Sequence, residues 1–87
     1  MRIQVQFFAG FREIFASKSL QIEVRTGATV EDLLNLVFNT HERQKRIFDN
    51  GKLKPHINLI KNGRHIQHLK GLETELNEGD SVSVFPL

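Results

Sequence analysis

The feature that most constrains the fold of this chain is a single amphipathic helix that lies between segments patterned as strands. Apolar residues fall at i, i+3, i+4, i+7 and i+8, at Val30, Leu33, Leu34, Val37 and Phe38. This spacing predicts a helix with one buried face. Thr29 and Asp32 occupy the two positions of a capping box at its start. A helix with one apolar stripe must bury that stripe against one apolar surface, so we predict a sheet with this helix on one face.

Alternating apolar and polar residues predict strands on both sides of the helix. The strand patterns cover residues 2–8, 20–24, 56–61, 64–66 and 81–85. Asn62-Gly63 predicts a type I′ hairpin turn, because both central residues of that turn have positive φ. The order indicates an α+β fold, a mixed sheet of four to five strands with one main helix packed on one face. The helix is expected either to end near Asn39-Thr40 or to continue, with a bend, through Arg46.

The length and composition bound the chain to one domain. Its 87 residues fall at the low end of the ~50–250 residues of a domain, so we expect a single domain over residues 1–87. The absence of cysteine excludes a disulfide scaffold, thiolate metal sites and cysteine nucleophiles. No apolar run approaches the ~18–20 residues of a membrane span, and the first residues do not resemble a signal peptide. The expectation is a cytoplasmic protein without a membrane partner.

The sequence contains no residue pattern typical of an autonomous enzyme. Its six glycines are dispersed, so no glycine-rich phosphate loop is formed. The serines have no evident base partner for a hydrolytic triad. His65 and His68 are three residues apart, but a zinc site needs three or four convergent ligands. We therefore predict no catalytic residues, no metal and no bound cofactor.

Basic residues are concentrated between Arg43 and Lys70. Eight bases lie there against Asp49 alone, although the net charge of the whole chain is only +2. One interpretation is an ordinary solvated surface, and the other is a face that meets an acidic protein or a phosphate backbone. No aromatic residue lies among these bases after Phe48, which disfavours single-stranded nucleic acid as the partner. The candidate basic patch, which would assist encounter more than affinity, consists of Lys52, Lys54, Lys61 and Arg64.

Strand periodicity places three large apolar side chains on the sheet face away from the helix. If Val82 and Val84 point inward, Phe85 points outward. By the same parity, Ile60 points outward if Ile57 and Leu59 point inward. Phe8 breaks the alternation of the first strand and is also expected to point outward. A contiguous apolar patch marks a partner site, whereas scattered apolar residues are routine, and periodicity leaves the strand registers open. The candidate partner-binding residues are Phe8, Ile60, Phe85, Pro86 and Leu87.

Four segments carry a resemblance that covers nearly the whole chain. They are VQFFAGFREI at residues 5–14, GATVEDLL at 27–34, PHINLIKNGR at 55–64 and LNEGDSVSVFP at 76–86. In this order and spacing they resemble the MoaD-type sulfur carriers and the archaeal small modifier proteins of the MoaD/ThiS superfamily. Residues 56–58 and 69–74 look most like the archaeal branch. The resemblance implies a β-grasp, or ubiquitin-like, fold.

The resemblance also implies a carrier that is not catalytic by itself. In the family, an adenylating, E1-like enzyme uses ATP to activate a terminal glycine carboxylate. Sulfur then replaces AMP to give a thiocarboxylate, or a lysine amine is acylated instead. The implied roles are small subunit of molybdopterin synthase, in molybdenum or tungsten cofactor synthesis, and protein modifier. The implied partners are the activating enzyme and either the synthase large subunit or target proteins. The alternative is a non-carrier ubiquitin-like module that binds protein or RNA.

The sequence departs from the family pattern at its C-terminal end. Family members end in Gly-Gly a few residues after the Phe-Pro pair, whereas this sequence stops at Leu87. A narrow active-site tunnel admits an extended chain that lacks side chains, which glycine provides. Pro86 and Leu87 do not meet that need. We expect a Gly-Gly terminus beyond Leu87 in the encoded protein, and a non-carrier relative is the other interpretation.

Overall fold

The computed structural model describes residues 1–86, which form a mixed five-stranded sheet in the order β2-β1-β7-β5-β6. Its strands are β1 (Arg2–Phe7), β2 (Ser19–Glu23), β5 (Ile57–Lys61), β6 (Arg64–His65) and β7 (Ser81–Pro86). A separate hairpin joins β3 (Phe48–Asp49) to β4 (Lys52–Leu53). The helices within residues 1–86 are α1 (Gly10–Phe15), α2 (Val30–Val37) and α3 (His41–Ile47). Short 3₁₀ turns follow at Ile66–His68 and Gly71–Glu73.

The last strand, β7, lies in the centre of the sheet. It pairs in parallel with β1, from Gln4 opposite Ser81 to Phe7 opposite Val84. On its other side it pairs antiparallel with β5, where Ile57 lies opposite Pro86. The prediction of a mixed sheet of four to five strands is therefore confirmed. Because β7 lies between β1 and β5, its last residue, Pro86, is at one end of the strands in the middle of the sheet.

The main helix begins as the sequence predicts. The Thr29 hydroxyl accepts a hydrogen bond from the backbone N–H of Asp32 at 3.3 Å, and the Asp32 carboxylate accepts one from the backbone N–H of Thr29 at 2.9 Å. The helix ends at Val37, so the alternative of one bent helix through Arg46 is wrong. Thr40 starts α3 as a new N-cap that accepts from the backbone N–H of Arg43 at 3.1 Å. The fold thus has two further helices beside the main one.

The core lies between the sheet and α2. The apolar stripe of α2 and the inward-facing strand residues are buried in one cluster, which includes Ile3, Val5, Val24, Val30, Leu33, Leu34, Val37, Leu59, Val82 and Val84. A cluster of phenylalanine rings extends this core beneath α1. Phe7 stacks on Phe15 with ring centroids 4.2 Å apart, and Phe11 meets Phe38 edge-on at 5.5 Å. These rings pack α1 against the sheet, next to the end of β1.

Two tight turns join neighbouring strands, one between β5 and β6 and one between β3 and β4. Asn62 and Gly63 have φ of 50° and 85°, so the predicted type I′ geometry of that hairpin is confirmed. Asn50 and Gly51 have similar values, 52° and 77°, and close the small β3–β4 hairpin. Within the described part of the chain, no helix is long and apolar enough to cross a membrane.

Candidate functional site

The candidate site lies at the end of β7, where the described part of the chain ends at Pro86. Pro86 is paired with Ile57 of β5, and the backbone N–H of Phe8, just after β1, donates to the carbonyl of Val84 at 3.3 Å. Both neighbours therefore hold β7 up to its last described residues. We call the surface formed by Phe8, Phe85 and Pro86 the exit end. Leu87, the fifth candidate partner-binding residue, lies outside the described residues.

Two aromatic side chains stack at the exit end. The rings of Phe8 and Phe85 have centroids 4.1 Å apart and planes inclined by 14°. The Arg12 guanidinium lies over the Phe8 ring at 5.2 Å, and its Nε donates to the carbonyl of Phe7 at 2.9 Å. Both phenylalanines are half-buried, because each covers one face of the other. The stack is a preformed aromatic surface beside Pro86, the last described residue.

Ile60 lies on the same sheet face as Phe85 but nearer the other end of β5. It is directly opposite Ser83, and Phe85 is directly opposite Asn58. Ile60 and Phe85 are therefore diagonal neighbours on adjacent strands, a spacing of ~7–8 Å between backbones. The face beside them is polar, since the Ser83 hydroxyl donates to Gln6 at 3.3 Å. The structure thus brings Phe8 and Phe85 into contact and places Ile60, half-buried, next along the same face.

The expected basic patch is divided between the two ends of β5. Lys52 and Lys54 belong to the β3–β4 hairpin and the segment after it, before β5 begins. Lys61 and Arg64 face each other at the opposite end of β5, next to the Asn62-Gly63 turn. From its first residue, Ile57, to Lys61, β5 spans on the order of 13 Å of backbone, and Lys52 and Lys54 lie before its start. The four bases of the candidate patch therefore lie as two pairs, and their role towards a partner stays a prediction.

Lys61 is engaged within the protein and is not a free surface base. Its ammonium lies 3.6 Å from a carboxylate oxygen of Asp80 and donates to the carbonyl of Glu75 at 3.1 Å. Its side chain is only 17% exposed. The same carboxylate accepts from the side-chain amide of Asn62 at 2.9 Å and from the backbone N–H of Asn77 at 2.7 Å. Lys61 therefore helps to anchor the hairpin to the start of β7.

The ring nitrogens of His65 both have protein partners. Its Nδ1 accepts a hydrogen bond from the backbone N–H of Gln67 at 3.1 Å, so the proton of the neutral ring is on Nε2. Nε2 then donates to the side-chain oxygen of Asn58 at 2.7 Å. Among residues 1–86, no three His, Cys, Asp or Glu side chains are placed to hold a metal ion together. His65 serves to tie β6 to β5 across the outer face of the sheet.

Comparison with known proteins identifies the family. The model of the ThiS family matches residues 5–87. The chain belongs to the ThiS family. It is 42% identical to small archaeal modifier protein 3 of Haloferax volcanii over 87 residues, which cover 99% of this chain and 95% of that protein. It is 37% identical to a putative sulfur carrier protein of Archaeoglobus fulgidus over 60 residues, 67% of this chain and 68% of that protein.

A solved structure agrees with the family assignment of this ThiS-family chain. The crystal structure of SAMP1 from Haloferax volcanii matches it with a TM-score of 0.87 and 28% identity, over 100% of this chain and 96% of that one. The β-grasp fold and the membership in the ubiquitin-like sulfur carriers and small modifiers, both expected from the four resembling segments, are confirmed.

Sequence reasoning missed two side chains near the exit of this ThiS-family protein. Arg46 at the end of α3 and His56 just before β5 line a groove beside Pro86. The cap residue Thr40 and the bases in the last turn of α3 are a sequence signal for a separate helix there. No signal in the sequence locates the groove, because it depends on how α3 docks against α1.

Proposed function

We propose that this ThiS-family protein is a ubiquitin-like sulfur carrier that a partner enzyme activates at a C-terminal glycine beyond Leu87. The observation that carries the proposal is the central position of β7, whose last described residue, Pro86, lies beside the stacked rings of Phe8 and Phe85. An enzyme that takes up the residues after Pro86 meets this rigid surface first. The similarity to a putative sulfur carrier supports the same proposal.

The chemistry takes place on the partner enzyme. One oxygen of the glycine carboxylate attacks the α-phosphorus of ATP, which forms an acyl adenylate and releases pyrophosphate. Hydrosulfide, HS⁻, then attacks the carbonyl carbon, AMP leaves with the bonding electron pair and a proton is released, so the product is a thiocarboxylate. The carrier contributes docking and a fixed base for its tail. Stacked aromatic side chains are suited to this role because the anchor residues of interfaces are commonly aromatic.

Two uses of the activated terminus are proposed. The resemblance to MoaD-type carriers favours sulfur donation as the small subunit of molybdopterin synthase, with the large subunit as the second partner. The 42% identity to a small archaeal modifier protein favours acylation of lysine amines on target proteins. Both uses require the same adenylated glycine, so activation is the step to test first.

The decisive experiment is an activation assay on the complete encoded protein with its purified adenylating enzyme and ATP. We expect pyrophosphate release and, with a sulfur donor present, an intact mass in which sulfur replaces one carboxylate oxygen. The matched control is the same protein ending at Leu87, which should dock but not react. Absence of activation of the complete protein, by an enzyme active on another carrier, would favour the non-carrier binding module instead.

The two downstream uses are separated in a second step. Thiocarboxylated protein is mixed with the synthase large subunit and its pterin precursor, and molybdopterin formation is measured. In parallel, the carrier, enzyme and ATP are added to cell extract, and lysines acylated by the carrier terminus are identified by mass spectrometry. Molybdopterin without lysine acylation assigns the sulfur-donor role, and the reverse assigns the modifier role.

A further inference from the structure

A groove of about 360 Å³ lies beside Pro86, at the end of β7 and on the sheet face opposite the phenylalanine stack. Three elements meet around it: α1, the end of α3, and the segment between β4 and β5. The residues that matter for its chemistry are Glu13, Ile14, Arg46, Lys54, His56 and Pro86. The size is at the low end of the ~300–1,000 Å³ of small-molecule sites, which is room for a few side chains of a partner.

The groove is basic. Arg46 and Lys54 each carry a positive charge, His56 adds an imidazole, and Glu13 is the one acid that lines it. Within residues 1–86, neither Arg46 nor Lys54 has a carboxylate within 4.0 Å. This distinguishes the pair from Lys45, which lies 4.0 Å from Glu42, and from Lys61, which is held by Asp80. Arg46 and Lys54 are therefore two bases without an ion pair among residues 1–86 that line the same groove.

Backbone hydrogen bonds fix the position of Lys54 next to the end of the helix that carries Arg46. The backbone N–H of Lys54 donates to the carbonyl of Ile47, the last residue of α3, at 2.8 Å. The carbonyl of Lys54 accepts from the backbone N–H of Ile57 at 3.1 Å. Lys54 is thereby tied on one side to the helix that carries Arg46 and on the other to the strand that pairs with Pro86. Fixed backbone positions lower the entropy that a partner must remove to bind both side chains.

The position of the groove indicates which partner reaches it. Each extended residue spans at most ~3.6 Å, so a residue two or three positions after Pro86 is within roughly 10 Å of the groove. A protein that binds the residues after Pro86 is therefore within reach of the groove. An apolar side chain, Ile14, lines the groove beside the bases. The phenylalanine that also lines it, Phe11, is only 4% exposed, so its ring offers little face on which a nucleic-acid base could stack, and a protein segment is favoured over nucleic acid.

We infer that the groove binds a carboxylate-bearing segment of the activating enzyme, with Arg46 and Lys54 as its contacts. The inference rests on the proposed function and adds a second contact to the exit end. Enzyme binding is then two-sided: apolar at Phe8 and Phe85, and ionic across Pro86 at the groove. Charge pairs that are enclosed in an interface act on dissociation, whereas exposed charges act mainly on association.

The test compares two charge-reversed variants of the complete protein that have the same net charge. One is Arg46→Glu/Lys54→Glu, in the groove. The other is Lys45→Glu/Lys52→Glu, which changes exposed residues of the same helix and the same hairpin outside the groove. Binding to the purified adenylating enzyme is measured by surface plasmon resonance at several salt concentrations. Melting curves are recorded for each, and Arg46→Gln/Lys54→Gln replaces the groove variant if reversal unfolds it.

We expect the groove variant to dissociate roughly tenfold faster or more, and the control variant to show only slower association. Equal effects of both variants on association alone would overturn the inference while leaving activation of the wild type, and thus the proposed function, intact. Wild-type protein that the enzyme neither binds nor activates would instead refute the proposed function. The same variants are titrated with a single-stranded RNA oligonucleotide. Loss of RNA binding by the groove variant, with enzyme binding unchanged, would also overturn the inference.

Discussion

At the scale of single residues, the side chains at the exit end show what strand periodicity can and cannot predict. Periodicity places Phe85 on the outer face, but contact with Phe8 depends on the parallel register in which Phe7 lies opposite Val84. That register is set by the whole sheet, so it could not be predicted locally. The number of charges in a segment likewise does not predict which of them are exposed in the folded protein. Lys61 belongs to the basic segment of the sequence, yet 19 residues later Asp80 neutralises it in the fold.

Phe85→Ala is expected to weaken binding to the activating enzyme by ~1–3 kcal/mol, the range of an interface anchor. It also removes the stack on Phe8, which contributes ~0.5–1.5 kcal/mol to folding, so the protein should remain folded. Leu36→Ala is the matched control, because Leu36 is an apolar side chain, 52% exposed, on α2 at the opposite face. Affinity is measured by calorimetry with the complete protein, and stability by urea denaturation. Wild-type affinity of Phe85→Ala would remove the exit end as a docking surface.

At the scale of elements, capped helices and glycine turns were predictable, and short segments held by tertiary contacts were not. Thr29 with Asp32 and Asn62 with Gly63 are local signals, and the structure has both. The end of α2 and the start of α3 depend on a contact between them, in which the side chain of Gln44 donates to the carbonyl of Phe38 at 2.7 Å. A seven-residue helix has little stability by itself, so its boundaries follow from docking.

Asp32→Asn tests the cap of α2. The backbone N–H of Thr29, with help from its hydroxyl and from Arg25, holds the pKa of Asp32 below its usual value of 3.8, against the opposing effect of desolvation. A lowered pKa stabilises the fold above the unfolded-state pKa, and this contribution is lost as the pH falls through the folded-state pKa. We expect Asp32→Asn to be less stable than wild type near neutral pH, with a difference that shrinks below about pH 3.8.

Urea midpoints over a pH series measure this difference. Glu31→Gln is the control, because it removes an exposed carboxylate of the same helical turn that does not take part in the capping box. A difference between Asp32→Asn and wild type that stays constant through the acidic range would show that the carboxylate charge does not contribute to the cap.

Gly63→Ala is expected to destabilise the β5–β6 hairpin by ~1–2 kcal/mol, because Gly63 has φ of 85°, which costs an L residue that much. Gly10→Ala is the control at the first residue of α1. A Cβ there has no atom within 4 Å and no positive φ to adopt, so stability should stay equal or rise by up to ~1 kcal/mol. Thermal denaturation of both variants is the measurement. Equal stability of the two would mean that the turn does not need its left-handed residue.

At the scale of the whole molecule, the sequence pattern predicted the layers of helix and sheet. It did not predict which distant segments lie next to each other in the folded protein. The stripe on α2 and the inward residues of the strands form one core, as expected. The β3–β4 hairpin was not predicted, because two-residue strands carry no periodicity. The groove beside Pro86 was not predicted either, since α1, α3 and the segment before β5 come together only in the folded protein.

Leu34→Ala tests that core. Leu34 is fully buried between α2 and the sheet, and the substitution should lower the free energy of unfolding by ~2–5 kcal/mol through lost burial and the cavity left behind. Leu36→Ala, two residues along the same helix and exposed, should change it by less than ~0.5 kcal/mol. Urea denaturation measures both. Similar midpoints for the two variants would mean that the buried face of α2 has been misassigned.

The central claim, that the protein is a carrier activated at a glycine terminus, is tested most directly by the intact mass of the untagged protein from its native cell. We predict a mass that corresponds to a few residues after Leu87 ending in Gly-Gly, with a fraction heavier by the replacement of one oxygen by sulfur. Purification under protease inhibition and without reducing thiols preserves both forms. A single mass that corresponds to termination at Leu87, with no proteolytic precursor, would contradict the claim.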